Sequence, residues 1–350
     1  MLLRLAFIVR RGRPADAMPA GDRVLAMIGN VLTRSLARLV WPGGRRARLA
    51  ILIYHRVLPR CDAINTWDVT ADEFEAQMGA LAANFSLLPL SEAIERLGKG
   101  SLGAKSACVT FDDGYADNAE VALPILQRYS IPATFFIAAG YIDGGRMWND
   151  TVIEAIRTLP GPRLELNEWG MGSFALDSDA ARRTAIGRIL PAFKYLASAE
   201  REARASHLAA MAGISPRSEL MLSESQICML HAAGMEIGAH TMTHPILANS
   251  PAEQARQEII EGGRRLSEIV RTPVKLFAYP NGKPRQDYTA EHVRMVCEAG
   301  YSAAVSTSRG SATRACDVFQ LPRFTPWDRA PGRFTLRLLQ NVMLAQPESV

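Results

Sequence analysis

Residues 107–114 read Ala-Cys-Val-Thr-Phe-Asp-Asp-Gly, an apolar and β-branched run that ends in two acids and a glycine. Such a run predicts a buried strand. Considered alone, Asp112 and Asp113 fit a solvated turn as well as a functional site. Gly114 tilts this balance, because glycine allows a sharp turn after which two adjacent carboxylates can face one cavity.

A second strand pattern, at residues 235–239, delivers His240 at its end, and His244 follows four residues later. If this segment coils, the two side chains share a face, although such a pair can also simply line a helix. Two imidazoles and one carboxylate match the three protein ligands of a catalytic zinc site. A second carboxylate could then activate water. Thr241 replaces the glutamate of the better-known two-histidine zinc motif, so Asp112 is the candidate base.

Strand and helix patterns alternate along most of the chain. Strands are predicted at 50–54, 107–111, 133–137, 235–239, 276–279 and 303–305, and helices at 71–83, 118–129, 251–270 and 292–299. This alternation predicts an α/β protein with a mostly parallel sheet, and the number of units favours a barrel over a small open sheet. In such barrels the chemistry lies at the carboxyl ends of the strands. Asp112, His240, Tyr279 and His55 all fall at such ends.

The two motifs together resemble the NodB-type polysaccharide deacetylases, whose signatures include Thr-Phe-Asp-Asp-Gly and His-x-x-x-His. Here they occupy residues 110–114 and 240–244, and the resemblance runs from about residue 51 to about residue 328. It implies the distorted (β/α) barrel of that family and a metal-dependent deacetylase. By the same resemblance Asp112 is the catalytic base, and Asp113, His240 and His244 bind a divalent metal, with Zn²⁺ expected although iron, cobalt or nickel accept similar ligands.

Two features depart from the commonest family pattern, and the first concerns the third motif. Residues 276–282, Leu-Phe-Ala-Tyr-Pro-Asn-Gly, lack the arginine that usually steadies the base. Arg56 and Arg323 are the candidates to orient Asp112 instead, with ordinary surface or ion-pair roles as the alternative. The resemblance also gives the backbone N–H of Tyr279 a place in the oxyanion site, where one donor is typically worth ~2.7–4 kcal/mol.

The second departure is the general acid. The late segment 321–328, Leu-Pro-Arg-Phe-Thr-Pro-Trp-Asp, has no histidine where many members of the family have one. Tyr54-His55 resembles the exopolysaccharide deacetylase branch, in which an N-terminal histidine is the acid. Amide cleavage needs such an acid, and a histidine with a pKa near ~6.5 can donate a proton at neutrality. A satisfied core histidine is the alternative for His55, and His207, His231 and His292 are interpreted as structural or surface residues.

Residues 140–221 interrupt the alternation, with no strong strand and a long helical stretch at 179–211. This pattern predicts a helical insertion that shapes access to the active face. Trp148-Asn149-Asp150 at its entrance could line a sugar site, but a core tryptophan and a helix-capping aspartate explain them equally well. Trp327 is a further candidate sugar platform.

The charge is concentrated in a basic N-terminal arm, residues 1–48. The arm has ten arginines and two aspartates, a formal charge of +8 against +5 for the whole chain, so the remainder carries −3. A nucleic-acid partner is therefore not indicated by the pI of 9.1. Residues 24–40 form a basic amphipathic pattern, which favours peripheral membrane contact; a start-codon extension or an arm packed on the barrel are the alternatives.

The predicted organisation is thus an arm at 1–48, a catalytic domain at 49–330 and a basic C-terminal helix or tail at 331–350. No stretch approaches the ~20 apolar residues of a membrane span, and residues 1–9 do not resemble an export signal. The five cysteines are odd in number and lack metal spacing. We therefore expect a cytoplasmic protein, peripheral on the inner face of the membrane if the arm binds lipid. The sequence gives no indication of the oligomeric state.

The sequence favours a metal-dependent hydrolase that removes acetyl groups from an N-acetylated sugar, on a polysaccharide or a lipid carrier. Glycoside hydrolysis also uses paired carboxylates but needs no metal, so the histidine pair argues against it. An inactive carbohydrate-binding or scaffold protein on the same barrel is the other alternative, because the third-motif arginine and the late histidine are missing.

Overall fold

The computed structural model describes residues 41–215, 217–326, 328–329, 331–344 and 347–350. The amphipathic pattern at 24–40 and Trp327 lie outside these residues. The strands are β1 (Ala50–Tyr54), β2 (Val57–Leu58), β3 (Val69–Thr70), β4 (Ser86–Leu87), β5 (Ser106–Phe111), β6 (Ala133–Ile137), β7 (Arg163–Leu166), β8 (Gly172–Ala175), β9 (Glu236–Ala239), β10 (Leu276–Ala278) and β11 (Ala303–Val305).

The α-helices of the described residues are α1 (Ala71–Asn84), α2 (Leu90–Lys99), α3 (Leu123–Arg128), α4 (Trp148–Thr158), α5 (Asp179–Lys194), α6 (Ser198–Ala212), α7 (Glu224–Ala232), α8 (Ala252–Val270), α9 (Ala290–Glu298) and α10 (Pro331–Val342). A π-helical turn, Asn118–Ala122, leads into α3. None of the described helices is both long enough and apolar enough to cross a membrane.

Seven parallel strands form the main sheet. Their order is β1-β5-β6-β9-β10-β11, with β4 paired to the start of β5. The segment 321–324 joins the two ends of this sheet, because Phe324 N–H donates to Ile51 O (2.7 Å) and Ser306 N–H donates to Leu321 O (2.8 Å). We call residues 321–324 the closing segment. The sheet therefore curls into a distorted barrel, and the predicted fold class is confirmed.

The alternation of side chains along the strands separates two apolar layers. One layer faces the helices, with Leu52, Val109, Phe135, Phe277 and Phe324 packed against residues such as Phe74 and Ile259. The other layer fills the barrel, with Ile51, Cys108, Phe136, Leu276, Val305 and Leu321. Asp112 follows Cys108, and Arg323 follows Leu321, at an even number of residues, so both side chains point to the same inner side as these two. The same alternation that builds the core therefore delivers polar groups to the mouth of the barrel.

The insertion at 140–221 has its own apolar core, formed between α4, α5, α6 and a hairpin. No strong strand is expected in this segment, and the structure shows two short ones, β7 and β8. They pair in an antiparallel hairpin, and the residues of β7 alternate between exposed and buried. The helical stretch predicted at 179–211 consists of two helices, α5 and α6. Pro191 lacks an N–H and lies in the last turn of α5, which ends at Lys194.

The C-terminal helix α10 packs on the barrel. Phe334, Leu338 and Val342 are fully buried in the main core, whereas Leu336 on the same helix is exposed. Of the residues 331–350 expected to form a helix or tail, the structure has Pro331–Val342 in α10.

Candidate active site

The strand β5 ends in a tight turn that brings Asp112 and Asp113 into one cavity. Asp112 N–H still continues the sheet by donating to Tyr54 O (2.9 Å). Asp113 and Gly114 then adopt left-handed conformations, with φ of 75° and 88°. A Cβ on Gly114 would lie 2.8 Å from Cγ2 of Ile137, so the turn has no room for a larger residue.

The two histidines lie on a loop after β9 rather than on a helix. His240 N–H donates to Ile137 O (3.1 Å), and His244 N–H donates to Oγ1 of Thr241 (3.1 Å). Thr241 and His244 both have positive φ, 66° and 53°. This loop therefore brings the imidazole centroids to 4.8 Å without the helical geometry that their spacing predicted.

Helix α8 supports this loop through Glu258. Its carboxylate accepts hydrogen bonds from Met242 N–H (2.8 Å) and from Thr243 N–H (2.7 Å) and Oγ1 (2.6 Å). One turn later, a Cβ on Gly262 would lie 2.7 Å from the carbonyl carbon of Thr241. The histidine loop thus rests directly on the helix backbone, and Glu258 fixes its amide groups.

Asp113, His240 and His244 can hold a metal ion. Their potential ligand atoms all lie within 4.8 Å of one another. Oδ1 of Asp113 is 3.5 Å from Nε2 of His240 and 3.4 Å from Nε2 of His244. This oxygen is buried and has no hydrogen-bond donor. An unpartnered buried carboxylate oxygen that faces two imidazoles is the arrangement a divalent cation would complete.

The tautomer of His240 is set by its other nitrogen. Nδ1 lies 2.7 Å from the carbonyl oxygen of Ala278, so it must carry the proton and Nε2 is left with a lone pair. A second hydrogen bond of this kind is the usual support for a metal-binding histidine. His240 can therefore present Nε2 to a cation in its neutral form.

The charges around this cluster shift the pKa of each member. Burial lowers the pKa of His244 to about 4, so its imidazole is neutral near pH 7. Burial also lowers the pKa of His240, but the charges of Asp112 and Asp113 outweigh it and the net shift is upward. Burial raises the pKa of Asp113, whereas the neighbouring histidines lower it more, and the carboxyl is held well below its usual range.

Asp112 forms a two-pronged ion pair with Arg323 of the closing segment. Nη1 and Nη2 each lie 2.6 Å from one carboxylate oxygen, and Nε donates to Ser306 O (2.9 Å). The two side chains are buried, with 2% and 1% of their surfaces exposed. Although burial raises the pKa of Asp112, Arg323 brings it below the ordinary value. Arg323 thus supplies the arginine that the third motif lacks.

Arg56, the alternative partner for Asp112, contacts another acid. Its Nε donates to Asp117 Oδ2 (2.8 Å), and its guanidinium lies over the ring of Tyr115. Asp117 also accepts from Val57 N–H (3.1 Å), yet burial raises its pKa to about 6. Arg56 is therefore excluded as the residue that orients Asp112.

Tyr279 does not occupy the predicted oxyanion position. Its N–H donates to Val305 O (3.2 Å) within the sheet, and its ring stacks on Tyr288 outside the barrel at 3.9 Å. The strand alternation explains this placement, because Tyr279 continues the layer of Phe277. Asn281, two residues later, lines the cavity and has a φ of 59°.

A cavity of about 490 Å³ contains the candidate metal ligands, Asp112 and His55. The backbone of His55 is fixed by Nδ2 of Asn118, which donates to His55 O (2.8 Å). Its role as general acid remains a prediction. Asp68, which sequence reasoning missed, also lines the cavity, and burial raises the pKa of this carboxyl.

The insertion contributes the rest of the cavity wall. Trp148 and Asn149 line it, and Trp148 also packs on the core of the insertion. Asp150 does not cap α4, which begins at Trp148; its carboxylate accepts from Tyr115 Oη (3.1 Å), and burial raises its pKa to about 7. His292 has the structural role expected of it, because Nδ1 accepts from Thr289 N–H at the start of α9.

Comparison with known proteins gives one family. A family model described as polysaccharide deacetylase matches residues 99–304. YxkH of Bacillus subtilis, assigned to the polysaccharide deacetylases, is 22% identical over 279 residues, covering 79% of this chain and 71% of that protein. A poly-β-1,6-N-acetyl-D-glucosamine N-deacetylase of Staphylococcus epidermidis is 27% identical over 136 residues, 39% of this chain but only 46% of that enzyme.

The fold agrees with a solved structure, that of the deacetylase PplD of Streptococcus pyogenes. The TM-score is 0.57 at 20% identity, and the alignment covers 85% of this chain and all of PplD. The family match includes Asp112, Asp113, His240 and His244, whereas His55 and Arg323 lie outside it. Because the match spans more than half of the sequence, the chain belongs to the polysaccharide deacetylase family, whose members are hydrolases.

Proposed function

We propose that this deacetylase removes acetyl groups from the nitrogen of amino sugars in a polysaccharide, with Zn²⁺ held by Asp113, His240 and His244. The observation that carries the proposal is the buried Asp113 Oδ1, which faces two imidazole Nε2 atoms and has no donor. The Staphylococcus epidermidis relative, named as an N-deacetylase of poly-β-1,6-N-acetyl-D-glucosamine, supports an N-linked acetyl group as the target.

Zinc is the proposed metal because two neutral imidazoles and one carboxylate are its usual three-ligand catalytic set. When bound, such an ion polarises a carbonyl and lowers the pKa of a coordinated water to roughly 7. The lowered pKa of His244 favours this role, since a neutral imidazole is ready to bind a cation.

Asp112 is the proposed base. Arg323 holds both carboxylate oxygens in place, and the lowered pKa of Asp112 keeps it ionised across the neutral range. The carboxylate therefore does not have to lose a proton before it accepts one from the attacking water. Arg323 is a positioning residue, because it acts through Asp112.

His55 is the proposed acid that protonates the departing amine. It lines the same cavity as Asp112, and its charge is among the influences that lower the pKa of Asp112. For the oxyanion we propose the backbone N–H of Asn281 in place of Tyr279. Asn281 lines the cavity, and its N–H makes no hydrogen bond within the described part of the chain.

The inactive-scaffold alternative loses one of its two supports, because Arg323 provides the arginine that the third motif lacks. Incubation of the purified chain with β-1,6-linked N-acetylglucosamine oligosaccharides tests the proposal. We expect release of acetate without new reducing ends, loss of activity on dialysis against a chelator, and recovery with Zn²⁺. Full activity after chelation would contradict the metal assignment, and new reducing ends would favour a glycoside hydrolase.

The target and the location need separate tests. An O-acetylated sugar without an N-acetyl group, assayed in parallel, should release no acetate if the nitrogen-linked group is the substrate. We propose a cytoplasmic location with the basic arm at the membrane surface and, with it, a lipid-linked carrier as one form of the substrate. Flotation of the full chain with anionic vesicles, and not with neutral vesicles, is the expected result.

A further inference from the structure

Two cations of the insertion line the cavity that contains the candidate metal ligands. Lys194 is the last residue of α5, and Arg201 lies in the first turns of α6. Trp148 of α4 lines the cavity beside them. Within the described residues neither cation forms an ion pair, whereas Arg204 of the same helix α6 pairs with Glu200.

Arg201 is buried with unused hydrogen-bond donors. Only 3% of the residue is exposed, and its Nε is buried without an acceptor. Nη1 makes one long hydrogen bond to the carbonyl oxygen of Lys194 (3.4 Å), and the guanidinium lies 5.1 Å from the ring centroid of Trp148. Burial lowers the pKa of Arg201 and the charge of Glu202 opposes this shift, but the two side chains form no ion pair. A buried guanidinium in this state lacks the anion that would complete its hydrogen bonds.

Lys194 is half-buried and is also left without a carboxylate. Its Nζ lies over the ring of Tyr195, 5.3 Å from the centroid. The charge of Asp287 acts on Lys194, but this carboxylate forms no ion pair with it and instead accepts hydrogen bonds from Lys283 N–H (3.0 Å) and from Tyr195 Oη (3.3 Å). The cavity wall therefore carries two positive groups, and neither forms an ion pair with an acid of the described residues.

We propose that Arg201 and Lys194 bind an anionic group of the substrate, a carboxylate or phosphate carried on the glycan whose acetyl group is removed. The planar fork of arginine matches the geometry of both anions, and lysine adds a point charge. Trp148 is partly buried and lines the cavity, where its ring can contact the sugar. This inference rests on the proposed function and adds to it a preference for an acidic glycan over a neutral one.

The test compares kcat/KM for acetate release from three substrates. They are a neutral N-acetylglucosamine oligosaccharide, one of equal length that alternates N-acetylglucosamine with a uronic acid, and N-acetylglucosamine carrying a phosphate ester. We expect one of the two acidic substrates to be preferred, and the two arms distinguish carboxylate from phosphate. Arg201→Gln and Lys194→Gln should each lower the acidic-to-neutral ratio of kcat/KM by ~10-fold, the effect of one lost charge-assisted contact.

Arg204→Gln is the matched control, because Arg204 lies one turn further along α6 and already pairs with Glu200 (2.5 Å). This variant should keep the ratio of the unaltered enzyme. Arg201→Lys, which keeps the charge but loses the fork, should give an intermediate ratio. Lys194 is only half-buried, so its variant remains informative if Arg201→Gln fails to fold. A ratio near one in the unaltered enzyme, or an equal loss on acidic and neutral substrates in both glutamine variants, would overturn the proposal.

Calorimetric titration with the acidic oligosaccharide separates this inference from the proposed function. If no substrate releases acetate, the proposed function fails. Binding of the acidic oligosaccharide that weakens in Arg201→Gln but not in Arg204→Gln would still support the anion site. Equal binding of the acidic and neutral oligosaccharides would overturn it.

Discussion

Replacing Arg323 by glutamine removes the charge that Asp112 contacts through two 2.6 Å hydrogen bonds. Both residues are almost fully buried, so water cannot take the place of the guanidinium. An unpaired buried charge of this kind costs ~3–5 kcal/mol. At an unfolding entropy of ~2.1 cal/mol/K per residue, a body of this size melts ~1.5 °C lower per kcal/mol, so we expect the melting temperature to fall by roughly 5–8 °C.

The same variant should change the response to pH. In the unaltered protein the pKa of Asp112 is lowered. The ionised carboxylate therefore stabilises the folded state at every pH above the ordinary pKa of an aspartate, and this stabilisation is lost as the pH falls through the lowered pKa of Asp112. Without Arg323, the effect of burial should dominate, so the pKa of Asp112 should lie above its ordinary value instead of below it. The variant should then lose stability as the pH rises, and the acid limb of its kcat/KM profile should move to higher pH.

Denaturant unfolding at several pH values, with acetate release measured in parallel, checks both effects. The control is Arg56→Gln, which breaks a contact with Asp117 and leaves Asp112 paired. The double variant Arg323→Gln with Asp112→Asn should regain most of the stability but no activity, because two neutral amides replace the ion pair. Unaltered stability and an unaltered pH profile in Arg323→Gln would refute the reasoning, as would an equal shift of the acid limb in Arg56→Gln.

Three further predictions concern other residues of the site. His55→Gln should lower kcat by ~10²–10⁴-fold while the metal content stays the same; unaltered turnover would remove His55 from the mechanism. Burial raises the pKa of Asp150 to about 7, so the contribution of this group to stability is lost as the pH rises towards that value. Asp150→Asn should therefore melt at a higher temperature than the unaltered protein near pH ~8 but not near pH ~3, below the ordinary pKa of an aspartate of ~3.9. Glu258→Gln should weaken zinc affinity, measured by chelator competition, by ~10–100-fold, whereas Glu261→Gln on the same helix should not.

The strand ends that form the site could be predicted from the sequence. Residues 107–111 and 235–239 are mostly apolar and predict buried strands. The first run is followed by Asp112 and Asp113 and the second by His240, polar groups that are unusual at the end of a buried strand. Parallel strands bring their carboxyl ends to one edge of the sheet, so Asp112, Asp113 and His240 are expected at the same edge. Local residue pattern and chain direction indicate these positions, because short segments determine both, whereas the roles of the residues come from the resemblance to the family.

The partners of these groups depend on contacts between distant segments. Arg56 follows β1, and Arg323 lies in the closing segment between β1 and β11. Only the closure of the barrel by residues 321–324 determines that Arg323, and not Arg56, contacts Asp112. The resemblance gives the backbone N–H of Tyr279 a place at the oxyanion, but pairing of β10 with β11 directs this N–H to Val305 O. The sequence does not indicate that Arg201 and Lys194 line the cavity, because single basic residues on a helix are usually at the surface.

The short hairpin of the insertion was missed for a related reason. Each of its strands has four residues, and their apolar positions become meaningful only when they pack on α4, α5 and α6. The loop at 240–244 also differs from expectation. The four-residue spacing of the two histidines fits a helix. In the structure the segment is a loop, and positive φ at Thr241 and His244 brings the two imidazole rings together instead.

The central claim is that Asp113, His240 and His244 share one ion. Diffraction from crystals grown with zinc, recorded on both sides of the zinc absorption edge, tests it most directly. We expect one anomalous peak at ~2.0–2.2 Å from a carboxylate oxygen of Asp113 and from Nε2 of both histidines. An active enzyme whose crystals show no peak between these three side chains would contradict the account.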